Sequence, residues 1–491
     1  MHYDSIIIGA GLSGLTCALL LARSGRRVLV LEQHSRPAPV VRGFRRDGIY
    51  FDSGFHYAGG LGDGGPLQPL LRHLGLEDKL QLFPYAADGF DRLRVASSGE
   101  EYLLPVGFNN IRRYLGEKFP LARSEIALYL DEIVSQWRNF PYLDLNADLA
   151  DFGMETVHGC SLRERLEVFS AWPELQSLLS MHSLLYGVPP EWAPLTLNAQ
   201  VAGSYYHSVH GIVGGGRRLV DALLELLAEA GVDIRCNVAV SQVLVGEEAV
   251  SGVRLQSGDE FPAREVIATL NPTQLPGLLP ASGLRPAYLK RLKNLRQTSS
   301  AYIVFASSRQ SLEFLRGRNL FVQPRAGVFN LRADQPLEER SFYLAGADQG
   351  RDGAIRGLIG IVPAHYEEVS SWQTPEPGRP EGYAAWKTGI SDRLLQMFKK
   401  RCPQLSELEL LELATPLTLR DYSRAPEGAI YGVGRWLGQY NPQPATRLPG
   451  LFLSGQAVTA PGLLGTMVAG YLTCGTILGH EHLRGELRAC R

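Results

Sequence analysis

Ser5-Ile6-Ile7-Ile8-Gly9-Ala10-Gly11-Leu12-Ser13-Gly14 is the stretch on which the fold turns. The run Ser5–Ile8 reads as a short parallel strand buried on both faces. The glycines after it have the G-x-G-x-x-G spacing. Leu15, Leu19 and Ala22 then recur at helical intervals up to Arg23, Gly25 supplies a C-terminal cap, and Arg27–Leu31 is a second strand ending at Glu32. This is a right-handed βαβ unit. In such a unit Gly9 permits the tight turn and Gly11 lets a diphosphate approach the backbone. Gly14 lets helix and strand close up, and the helix N-terminus at Leu12 and Ser13 offers free N–H donors and a positive dipole end. Glu32 stands 18 residues after Gly14, where it accepts hydrogen bonds from ribose hydroxyls and repels a 2′-phosphate. With 53 glycines in the chain the motif alone is weak; strand, helix and acid together make a dinucleotide site.

Outward from this unit, the pattern predicts helices over residues 67–80, 110–137 and 173–186. A second block follows Gly214-Gly215-Gly216. Leu219, Leu223, Leu224 and Leu227 line a helix, Gly231 ends it, and residues 232–235 form a strand. A hairpin follows over 240–245 and 251–255. Residues 285–413 mix strands (301–305, 341–344, 358–362) with a long helix over 383–398, and Gln373–Gly382 reads as a surface loop. The uncharged stretch Ser454–Gly479 is too rich in glycine for a membrane span and reads as a buried loop and helix. The fold class is α/β. A nucleotide-binding domain is assembled from residues 1–95, 205–280 and 414–491, and an inserted α+β substrate domain with a helical cap comprises 96–204 and 281–413.

Composition excludes several classes of function. The 491 residues carry 49 Lys and Arg against 50 Asp and Glu, a formal net charge of −1, so no basic stripe marks a nucleic-acid partner. The six cysteines are scattered with no C-x-x-C pair, which argues against a disulfide framework or zinc ribbon and fits a reducing cytosol. The first strand begins by Ser5, leaving no room for a cleavable leader, so a cytoplasmic location is expected, either soluble or peripheral at a membrane. His207 and His210 share an H-x-x-H spacing without a carboxylate motif, and no metal is expected. There is no G-x-S-x-G elbow, no Walker lysine and no second dinucleotide fingerprint.

The stretches Leu31-Glu32-Gln33-His34 and Phe51-Asp52-Ser53-Gly54-Phe55-His56-Tyr57 resemble the phytoene desaturase, carotenoid isomerase and retinol saturase family of flavoproteins. So do Thr415-Pro416-Leu417-Thr418, Ala425-Pro426-Glu427-Gly428-Ala429, Leu453-Ser454-Gly455-Gln456 and Gly462-Leu463-Leu464-Gly465. The wording is closest to the retinol saturase branch. The resemblance implies the glutathione-reductase-like Rossmann fold with FAD bound non-covalently. It places Gln33, Ser53 and Gly54 at the cofactor, Val240 near the adenine, and Gly455, Gln456, Leu464, Gly465 and Thr466 where a helix opens toward the flavin. The family's usual Gly-Gly pair after the ribose-binding acid falls on Ala38 and Pro39. Proline lacks an N–H and fixes φ, so the local path is expected to change, with Arg42 as a replacement charge near the phosphates.

With flavin doing the redox chemistry, the protein needs one protonation partner at most. The candidates are His56, Tyr57 and Tyr206, beside Tyr205 and His207. The resemblance implies an FAD-dependent oxidoreductase that saturates, desaturates or isomerises a C=C bond in a long apolar isoprenoid, with peripheral membrane contact and an unidentified electron donor or acceptor. Two alternatives stay open at this stage. One is a flavin amine oxidase on the same fold; the other is a prenyl- or lipid-binding carrier that has lost its flavin.

Overall fold

The computed structural model describes residues 2–147, 159–280, 283–350, 353–374 and 378–490. The opening unit forms as β1 (Tyr3–Ile8), α1 (Leu12–Arg23) and β2 (Val28–Leu31). The second block supplies β3 (Asp233–Arg235), β4 (Val240–Val245), β5 (Val250–Leu255) and β6 (Glu260–Ala268), and the far end of the chain adds β7 (Leu451–Leu453). Among the described residues these seven strands make one sheet. Its parallel part runs β3-β2-β1-β6-β7, with Ile6 opposite Leu29 on one side and Val266 on the other. β4, β5 and the first half of β6 form an antiparallel meander at its edge.

Strands so distant in sequence come together because β1, β2, β7 and the end of β6 are apolar on both faces and need a helical layer on each side. One layer contains α1, α4 (Gly215–Glu229) and α5 (Gly462–Leu478); Ile7, Leu15, Leu19, Leu223 and Met467 share its core. Gly470 lets α5 approach α1 closely, since a Cβ there would stand 2.7 Å from the Thr16 side chain. The uncharged stretch 454–479 is therefore an interior loop and helix, and among the described residues no helix is long and apolar enough to cross a membrane.

A second seven-stranded sheet carries the inserted region, in the order 408–414, 300–308, 357–364, 342–346, 319–323, 91–95 and 101–104. The strand Asp91–Val95 lies in this sheet, paired in parallel with Asn319–Gln323, although it precedes residue 96. The expected helix over 110–137 divides into Phe108–Lys118 and Arg123–Gln136. Pro120 disfavours helical dihedrals at Phe119, and the chain turns there. Part of the loop 373–382, residues 375–377, lies outside the described residues.

The expected detour at Ala38-Pro39 does not occur. Ala38 itself takes the left-handed conformation (φ 47°, ψ 51°) that suits glycine, and its N–H still donates to the Ala10 carbonyl at 2.9 Å. Pro39 then begins the short helix α2 (Pro39–Arg42), a first-turn position where its missing N–H costs little. A left-handed alanine costs about 1–2 kcal/mol against about 0.5–1 kcal/mol for the extra chain entropy of glycine. Ala38→Gly is accordingly expected to raise stability by ~0.5–1 kcal/mol, read from urea unfolding of the apoprotein.

Candidate functional site

The glycine turn has the shape that a diphosphate requires. Gly9 sits at φ +104°, and a Cβ there would press within 2.5 Å of the Thr269 hydroxyl. A Cβ on Gly14 would strike the Gly9 carbonyl oxygen at 2.3 Å, while Gly11 has open space where a side chain would stand. No side chain caps the start of α1 or of α5, so their first N–H groups remain for a ligand. Ser13 is buried, and its hydroxyl lies 2.6 Å from that of Ser454, which brings the end of β7 against the start of α1.

Glu32 stands against this turn. It is buried at the end of β2, and each carboxylate oxygen accepts one backbone N–H at 2.8 Å: Oε2 from Ala10, Oε1 from His34. The second lone pair on each oxygen is left for the ribose. Gln33 is exposed beside it, and Val240 opens β4. Ser53 donates to the Val40 carbonyl at 2.9 Å, and Gly54 packs on Val40, so both hold α2 in place. Asp52 accepts the Gly216 N–H at 2.8 Å and ties this loop to the first turn of α4; burial pushes its pKa up to about 7. The Arg42 guanidinium is paired with Asp221 on α4 at 2.6 Å.

Beyond β7, Gly455 lies at φ +114°. Thr459 donates to the Gly465 carbonyl at 2.7 Å and Thr466 to that of Gly462, folding the chain into the start of α5. Gln456 packs beside Gly432. Residues 459–465 form one wall of a small cleft, and Ala58, Gly59, Leu185, Val201 and Tyr205 form much of the rest. Gly59 is necessary here, because a Cβ would stand 2.5 Å from the backbone of Ser204 and Tyr205 in α3 (Leu195–His207). The turn, the buried acid and the uncapped helices fit an adenine dinucleotide, and the cleft adjoins them.

None of the three proposed proton carriers lines that cleft. Tyr57 donates to Asp91 at 2.9 Å; Asp91 is fully buried, pairs with His182 Nε2 at 2.7 Å and accepts from Asn319 at 2.8 Å. The Tyr206 hydroxyl is buried with no partner among the described residues, its ring against Phe108 and His182. His56 is enclosed, its Nδ1 has no hydrogen-bond partner among the described residues, and burial pushes its pKa down to about 4. The phenol that does face the cleft is Tyr205. Its ring lies tilted against those of Tyr57 and His182, with centroids 4.7 Å and 5.6 Å away, and its hydroxyl has no partner among the described residues.

His56 has a consequence for acid stability. The unfolded chain takes up a proton near pH 6.5 and the folded protein only near pH 4. Stability therefore falls as pH drops through that window, by about 3 kcal/mol. Urea unfolding at pH 7 and pH 4.5 should show His56→Gln losing less stability on acidification than the wild type.

Arg435, Asp91 and His182 were not singled out from sequence. Arg435 donates to the Val458 and Thr459 carbonyls, and its place between Gly434 and Trp436 was the only sign of a buried arginine.

Comparison with known proteins agrees with this geometry. Human all-trans-retinol 13,14-reductase is 25% identical over 541 residues, covering 99% of this chain and 87% of that protein. Hydroxyneurosporene desaturase of Cereibacter sphaeroides is 26% identical, covering 92% of each. An oxidoreductase structure from Methanosarcina mazei superposes with a TM-score of 0.67 at 18% identity, over 95% of this chain and 98% of that one, and so shares the fold. The sequence model of the flavin containing amine oxidoreductase family matches residues 12–337, well over half of the chain. With that match the protein belongs to the flavin containing amine oxidoreductase family, and FAD is its cofactor.

Proposed function

We propose that the protein transfers hydrogen to or from a C=C bond of a long apolar isoprenoid or polyene. The observation that carries this reading is the composition of the cleft: among the described residues that line it, none is Asp, Glu, Lys or Arg. An amine oxidase must hold a cationic or recently neutralised nitrogen, and a mainly apolar wall whose polar members, Gln200, Ser204, Tyr205 and Thr459, are uncharged gives it no counter-charge. A hydrocarbon chain needs only such a wall. The retinol reductase and desaturase likeness supports the same substrate class.

When bound, FAD supplies the two-electron transfer to or from carbon. The chain's own residues do the rest. Leu185, Val201, Leu463 and Leu464 hold the apolar substrate and exclude water. Gly9, Gly11, Leu12, Ser13, Gly14, Glu32 and Gln33 seat the adenosine diphosphate half, and Gly455, Gln456, Leu464, Gly465 and Thr466 border the other half. Tyr205 holds a proton on its hydroxyl at the cleft surface. Burial raises its pKa, as do Tyr431 and Asp91 nearby, so it stays protonated and serves as an acid. This suits the saturating direction, with electrons from an external reductant.

The deciding experiment is anaerobic. Holoprotein reduced with dithionite should be reoxidised by a conjugated polyene alcohol with loss of polyene absorbance, while putrescine and benzylamine leave oxidised holoprotein unbleached. Bleaching by an amine alone would replace this reading with amine oxidation; failure to retain FAD would leave a carrier.

Peripheral membrane contact belongs to the same proposal. Leu121, just before the helix Arg123–Gln136, and Leu128, on it, stand 84% and 65% exposed. Co-sedimentation with phosphatidylcholine vesicles, lost in L121E/L128E, would support the contact; equal sedimentation of both proteins would remove it.

A further inference from the structure

Tyr205 lines the cleft from α3, and no hydrogen bond holds its hydroxyl among the described residues. A phenol on a helix has more than one staggered rotamer, so ring contacts must set its direction. Two aromatic neighbours meet it, Tyr57 with centroids 4.7 Å apart and His182 at 5.6 Å.

One group holds both of these rings. The Tyr57 hydroxyl donates to Asp91 Oδ2 at 2.9 Å, and His182 Nε2 lies 2.7 Å from the same oxygen. Asn319 Nδ2 donates to Asp91 Oδ1 at 2.8 Å and accepts, through its own Oδ1, the Tyr343 hydroxyl at 2.9 Å. Tyr343 in turn stacks on Tyr57. The parts come from separate elements: Tyr57 precedes the strand Ala58–Gly59, His182 lies on the short helix Met181–Leu185, and Asn319 opens the strand Asn319–Gln323. Asp91 is the group at which they join.

Stability alone does not explain a carboxyl group at this position. Asp91 has no exposed surface, and among the described residues it has no Lys or Arg partner. Desolvating it costs free energy, and apolar residues of like volume commonly hold a core as well. What they cannot do is fix two rings by direction, as a satisfied buried network does. Asp91 does not line the cleft, so any effect on substrate passes through its neighbours.

We propose that Asp91 is a positioning residue for the C=C chemistry: by fixing the Tyr57 and His182 rings it aims the Tyr205 hydroxyl at the substrate. This rests on the assignment of Tyr205 as the acid. In the saturating direction the Tyr205 O–H bond breaks and a C–H bond forms at one carbon. The other carbon receives its hydride from reduced FAD, and water returns a proton to the phenolate oxygen.

The test is reoxidation of dithionite-reduced holoprotein by a conjugated polyene alcohol, anaerobically, in H₂O and D₂O. It compares wild type, Asp91→Leu, Tyr205→Phe and the double variant, each with its FAD content read from the visible spectrum. Asp91→Leu should lose about ten- to a hundredfold in the limiting rate, the scale of a misplaced reacting group, with half-saturation by polyene little changed. Its solvent isotope effect should fall toward that of Tyr205→Phe. The double variant should be no slower than Tyr205→Phe alone, because a misdirected hydroxyl and a missing one are the same loss. Asp91→Asn, which still accepts the Tyr57 hydroxyl, should recover most of the rate. Should Asp91→Leu not fold, Tyr57→Phe takes its place in the cycle, since it removes only the hydroxyl that reaches Asp91 and keeps the ring; the same non-additivity is expected. Additive losses in the double variant, or a wild-type rate in the folded single variant, overturn the proposal. Near-normal turnover by Tyr205→Phe would refute the acid assignment itself, and the positioning role with it.

Discussion

Glu32→Ala is expected to weaken FAD binding ten- to a hundredfold. The lost groups are two charged acceptors for a ribose, worth about 1–3 kcal/mol in all when the carboxylate is buried. The variant also strips acceptors from two backbone donors: Ala10 N–H and His34 N–H each bond one carboxylate oxygen at 2.8 Å. Ala10 lies inside the glycine turn, so the diphosphate cradle loosens together with the ribose anchor. Val238 N–H is unaffected because it bonds the Glu32 main-chain carbonyl. Glu32→Gln, which keeps one oxygen acceptor and no charge, should fall between wild type and alanine. Titration of apoprotein with FAD, followed by flavin fluorescence, gives the constants. Equal affinity in wild type and Glu32→Ala would mean that the ribose lies elsewhere.

The first sixty residues were the most legible part of the chain, for a physical reason. A parallel strand, a glycine turn and an amphipathic helix each leave a local signature, and α1 begins and ends where the glycine spacing and periodicity place it. The Ala38-Pro39 departure was visible, but its consequence was not. Whether a left-handed alanine is tolerated depends on its neighbours, here the Ala10 carbonyl and the enclosing α2 turn. The buried Asp91–His182–Asn319 cluster was out of reach. Its members are 91, 137 and 228 positions apart and meet only because Asn319–Gln323 pairs in register with Asp91–Val95. The choice between Tyr205 and Tyr206 was equally hidden. Neighbouring helix residues point about 100° apart, and the rotation of α3 is set from outside. Gly203 admits Trp137, where a Cβ would stand 2.4 Å from its side chain, and Gly59 admits the backbone at Ser204. That packing turns Tyr205 to the cleft and Tyr206 into the core.

Tyr205→Phe should lower turnover of a polyene by about 10²- to 10⁴-fold, the usual worth of a positioned general acid, with FAD content unchanged. The ring keeps its contacts with Tyr57 and His182, so the fold is retained and only the hydroxyl is lost. Because burial holds the phenol protonated, wild-type turnover should show no ionisation of this group through neutral pH. A solvent isotope effect on turnover should diminish in the variant, where proton delivery passes to water admitted at the cleft mouth. Tyr206→Phe is the matched comparison. It removes a buried hydroxyl that has no partner among the described residues, so activity should stay within about threefold and stability should hold or rise slightly. Reversal of the two results, with Tyr206→Phe inactive and Tyr205→Phe near normal, would place the proton on the core side of α3 and require the cleft to open there before substrate binds.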